Sequence, residues 1–114
     1  MNTESSVQCL TYLNIRLFEN RLLLIEAKGV SAHAQAGVPK LAPVYGSESK
    51  LNGGILELDF INQPVNDEMK ENVSFDIRTV VDIGALREKL KGVKVNAAEN
   101  ADISLLLEQI ENAD

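Results

Sequence analysis

Between residues 73 and 81 the chain alternates apolar and polar side chains with a period of two. Val73, Phe75, Ile77, Thr79 and Val81 share one parity, and Ser74, Asp76 and Arg78 lie on the other. That spacing predicts a half-buried β-strand. Two earlier segments are similar. Cys9 to Phe18 carries Leu13, Ile15 and Leu17 on one parity and Leu10, Tyr12 and Phe18 on the other. Arg21 to Ala27 returns after the polar break Glu19-Asn20, so residues 10–27 are expected to form a hairpin. Gly29 is expected to end its second strand. Ile55 to Ile61 is a further strand, with Leu56, Leu58 and Phe60 on one face.

The pattern fades in two places. Residues 30–50 are rich in alanine and glycine and carry Pro39 and Pro43. Proline lacks the ladder donor, so 38–45 suits an edge strand or an extended connection, never a central strand. Residues 46–50 are expected to be loop, and this irregular stretch is where function would most readily sit. Asn52-Gly53-Gly54 marks a turn, and residues 62–72, with Pro64 and several charges, are expected to form a polar loop.

Helical spacing enters only near the C-terminal end. Ile83, Leu86 and Leu90 fall on one helical face between Asp82 and Gly92, which predicts a short helix over 83–91. Val93 to Ala97 is a short strand. Ile103, Leu106, Leu107 and Ile110 make one stripe, which predicts a helix over 102–112. The expected fold is therefore mainly β: a small antiparallel β-sandwich with one or two short peripheral helices, the alternative being an α+β domain with one sheet and helices on one face. Residues 1–6 are expected to be a disordered tail and 7–114 a single β-rich domain. Leu22 and Leu24 point to one face of their strand, and Leu23 and Ile25 to the other. A strand apolar on both faces needs cover on both, from a helix or a second subunit.

Composition narrows the function. The chain has 114 residues, a net charge of −6 and no tryptophan. Without clustered Lys and Arg, neither nucleic acid nor an anionic membrane is an expected partner. The basic residues Arg87, Lys89, Lys91 and Lys94 are interrupted by Glu88 and have no aromatic platform. Cys9 is the single cysteine, which excludes an intrachain disulfide. The polar start of the chain lacks a secretory signal pattern, and a cytoplasmic protein is expected.

Candidate chemistry is sparse. No phosphate-binding glycine loop, nucleophile elbow or zinc spacing is present, so no catalytic residue, metal ligand or cofactor is assigned. Three residues remain as a speculative ligand site. His33 is the single histidine, in the small-residue stretch Ser-Ala-His-Ala-Gln-Ala-Gly, and Glu57 and Asp59 sit two apart on one strand face. The leading expectation is a non-enzymatic protein acting through protein–protein contacts, as a homo-oligomer or accessory subunit whose partner is itself or another protein. The alternative is a small-ligand or metal-ion binding module using the 30–50 loop with the Glu57 and Asp59 face.

Overall fold

The computed structural model describes residues 4–19, 21–46, 51–86 and 88–106. The fold is mainly β, as the alternation predicts. Six strands run in the order β1 (Ser5–Ser6), β2 (Cys9–Phe18), β3 (Leu22–Pro43), β4 (Ile55–Asp82), β5 (Gly92–Asn96) and β6 (Ala101–Leu105). They form one sheet with the path β2-β3-β4-β5-β6, and β1 pairs with β4 off that path. This sheet curls until it is nearly closed, and the expected pairing of two stacked sheets is not confirmed. All neighbours are antiparallel except β4 and β5, where Ile55 to Asp59 run parallel to Gly92 to Asn96.

The β2–β3 hairpin forms as expected, with Phe18 opposite Leu22. Its left-handed residue is Glu19, at φ 54°, and Asn20 lies outside the described residues. Gly29 does not end β3. Its α-carbon is pressed against the Cys9 carbonyl and Val7, so that an added β-carbon would stand 2.7 Å from each. It is a point of close approach inside a strand. Beyond it β3 continues through the expected loop to Pro43, paired throughout with β4. The alternation fades there because the inner face leaves the core. Its residues become Ser31, His33 and Gln35, and the strand pair becomes a polar ribbon. The proline-bearing part, 38–43, pairs with β4 on one side only, as an edge.

The expected 62–72 loop is likewise strand. The ladder resets between Gln35–Met69 and Gly37–Pro64, so Val65 to Glu68 bulge out. The reset changes which residues face inward. Leu56, Leu58, Phe60 and Asn62 are buried before it, and Phe75 and Val81 after it. The turn into β4 uses Gly53 and Gly54, both at positive φ.

Neither expected helix is present among the described residues. Within 83–91 the chain makes only the 3-10 turn Gly84–Leu86. Ile83 and Leu90 are both buried, but as anchors of a tight connection, with the Leu90 amide donating to the Leu86 carbonyl. Ala101–Leu105 is a strand returning along β5, because a turn at Ala97 to Asn100 reverses the chain first. Residues 107–112 of the expected second helix lie outside the described residues. Of the expected disordered tail 1–6, residues 1–3 lie outside the described residues, and its last two form β1. Ser5 and Ser6 pair with Asn62 and Ile61, and the Val7 amide donates to the Phe60 carbonyl at 2.9 Å. The core lies inside the curl, built from Val7, Ile15, Leu23, Ile25, Leu56, Leu58, Phe60, Ile83, Val93 and Val95.

Candidate functional site

Two regions of the surface have the makings of a site. The first is a groove of about 380 Å³ where the β3–β4 ribbon passes beneath the N-terminal segment, lined among others by Ser5, Gln8, Ser31, His33, Asn62 and Met69. Gln8 fastens one wall. Its backbone amide donates to Ser31 Oγ at 2.9 Å, its Oε1 accepts from the Ala32 amide at 2.7 Å, and its Nε2 donates to Glu99 Oε2 at 2.6 Å. Asn62 fastens the other, with Nδ2 donating to the Gln35 carbonyl at 2.7 Å. Asn62 is 1% exposed, and its Oδ1 has no hydrogen-bond partner. His33 is exposed on the inner face of the ribbon, directly across the ladder from Glu71.

His33 is not brought together with Glu57 and Asp59. These two carboxylates share the outer face of β4, as their spacing predicts. Asp59 pairs with Ala42, nine residues along β3 from His33, a separation of roughly 30 Å of strand. Both acids hold the fold together locally. Glu57 Oε1 accepts from Asn52 Nδ2 at 2.9 Å and from the Tyr45 hydroxyl at 3.2 Å, which pins the β3–β4 connection. The Asn52 hydrogen bond holds the Glu57 carboxyl below its usual range, and partial desolvation, followed by nearness to that carboxylate, raises the Tyr45 phenol. Asp59 accepts from Asn96 Nδ2 at 3.3 Å. Neither acid meets Arg78, which pairs with Glu26 at 3.2 Å. Among the described residues no cluster of three or more His, Cys, Asp or Glu could hold a metal ion, and no helix is long and apolar enough to cross a membrane.

The second region is the outer face and free edge of the β2–β3–β4 wall. Leu23 and Ile25 are fully buried inward, whereas Leu22 and Leu24 stay half-buried outward. Beside them Phe18 is 45% and Val80 59% exposed. No described element stacks over this face. From Val73 to Asp82, β4 pairs with β3 on one side and with no described strand on the other. This edge contains no proline and no bulge. The free side of β3 at 37–43, by contrast, carries Pro39, Pro43 and Lys40, residues that discourage strand addition.

Comparison with protein-family models, with curated proteins and with solved structures returns no match. Function must therefore be argued from these two regions alone. The groove carried little sequence signal, because its walls come from four separated parts of the chain. The free edge carried none either, since the Ser74, Asp76, Arg78 parity marks a solvated face and not an unpaired side.

Proposed function

We propose that this protein is a non-enzymatic, cytoplasmic module that works through protein–protein contact, accepting a partner strand along the 73–82 edge of β4. The observation that carries the reading is the contrast between the two free edges. A row of unpaired backbone groups is a template for another strand, and proteins usually blunt such rows. The β3 edge is blunted by two prolines, and the β4 edge carries none and meets no described strand. The outward apolar group of Phe18, Leu22, Leu24 and Val80 adjoins the open edge and offers side-chain contacts beside the ladder. The test is amide exchange on labelled protein, alone in dilute buffer and then in concentrated cell extract. Slower exchange at 73–82 in extract, with 37–43 unchanged, supports the reading. Equal exchange at 73–82 in both conditions overturns it.

A second reading, a small-ligand module, draws support from the groove with its buried, unpartnered Asn62 Oδ1. Its lining mixes hydroxyls, amides and one imidazole with Met69, Ala34 and Ala98, which suits a small molecule with polar and apolar parts. The metal version draws no support from the geometry, since His33 stands far from Glu57 and Asp59. A thermal-shift panel of polar metabolites tests it; a ligand that stabilises wild type and not His33→Ala would favour the groove over the edge.

A further inference from the structure

We propose that two copies of this chain pair edge to edge along β4, antiparallel, about a twofold axis at Ile77. The proposal rests on the edge reading above and names the partner strand as the same strand of a second copy. A twofold pairing keeps inner residues opposite inner residues only when its axis passes through a residue; any other placement sets core-facing side chains against outward ones. Among the permitted axes, the one at Ile77 sets Asp76 against Arg78 of the second copy, twice by symmetry. Moving the axis to Asp76 sets that carboxylate against its own copy, and moving it to Arg78 does the same for the guanidinium. Moving it to Thr79 sets Asp76 against Asp82. Like charges directly opposite are unfavourable and opposite charges favourable.

The neighbouring strand extends the pattern. Glu26 of β3 lies opposite Arg78, and Lys28 opposite Asp76. Across four strands of the pair, one row therefore reads Glu26, Arg78, Asp76, Lys28, and the row beside it is its mirror. Signs alternate at every step. Each row is already held at its ends within one copy. Arg78 is bonded to Glu26, and the Lys28 ammonium sits 5.5 Å from the centroid of the Tyr12 ring. On the inner face the same axis stacks Ile77 on its own copy and Phe75 on Thr79. Ile77 and Thr79, half-buried in one copy, would be covered by the second.

The experiment uses the full chain, sedimentation, and two charge variants. Wild type is expected to dimerise with concentration. D76R alone and R78D alone each turn the opposed pairs into like-charged ones, and each should weaken the dimer by about tenfold or more. An equimolar mixture of D76R with R78D restores opposite charges across the interface and should recover association. That recovery cannot come from a folding defect in either variant. A wild type that stays monomeric at about 1 mM, where even weak complexes are populated, overturns the proposal. So does a mixture no more associated than its components. If exchange at 73–82 still slows in extract while the pure protein is monomeric, strand acceptance stands and self-pairing alone falls.

Discussion

Replacing Gly29 by alanine puts a methyl group where the fold has no room. The new carbon would stand 2.7 Å from the Cys9 carbonyl oxygen, 2.7 Å from Val7 Cγ1 and 3.1 Å from the Phe60 ring. Comfortable carbon contacts begin at about 3.5 Å. None of the three neighbours can swing into solvent: Val7 and Phe60 are fully buried, and Cys9 is fixed in the ladder opposite Val30. Overpacking of this kind costs about 1–3 kcal/mol. The added methyl also stiffens the unfolded chain, which offsets about 0.4–1 kcal/mol. The net loss is about 1–2 kcal/mol, and at about 4 °C per kcal/mol for a domain of this size, Tm should fall by about 4–8 °C. Thermal unfolding followed by circular dichroism reads it directly. Repeating the substitution in a Val7→Ala background removes one of the three obstacles, so the penalty there should be smaller. An unchanged or raised Tm for Gly29→Ala would refute the crowding, and an equal penalty in both backgrounds would clear Val7 as an obstacle.

Two further predictions concern polar groups. Glu57 is held below its ordinary value of 4.5, first by Asn52, and Asp82 below its ordinary value of 3.8, first by Arg21. A depressed carboxyl stabilises the folded state above its unfolded value and loses that contribution as the pH falls through the folded one. The stability gap between wild type and Glu57→Gln should therefore be present at neutral pH and close below pH 4.5, as urea midpoints taken down the acid range would show; a gap that widened in acid would contradict the sign. Asn62 is buried and donates to the Gln35 carbonyl. Asn62→Asp removes that donor and buries a charge, at about 3 kcal/mol or more, so it should melt below Asn62→Ala, where about 1–3 kcal/mol is lost with the hydrogen bond; the reverse order would deny the burial.

Strands with one core-facing side were legible in the sequence, since the core imprints a period of two on 10–18, 55–61 and 73–81. The ribbon at 30–37 and 63–72 was not. Both of its sides face solvent or a polar groove, so nothing forces alternation, and Ala32, His33 and Ala34 resemble a loop. Within the described residues, the two helical stripes misled for a different reason. Ile83 and Leu90 are buried at either end of a tight turn, and Ile103 is exposed on a strand. Spacing alone cannot separate those placements from one apolar helical face when the run is short. Of the speculative site, the shared face of Glu57 and Asp59 was readable, but the distance to His33 depends on strand pairing, which residue identity does not encode locally.

The ladder reset at Val65 to Glu68 bears on how the chain avoids misfolding. A hairpin that zipped on from the Pro43–Leu58 end of the ladder without resetting would carry the pairing of Leu41 with Phe60 onward unchanged. Ile25 would then meet Asp76, and Leu23 would meet Arg78, driving two charges toward the hydrophobic interior. Such a trap unravels under its own desolvation penalty. The slipped intermediate is thus proofread by the alternating charges of the last ten residues of β4.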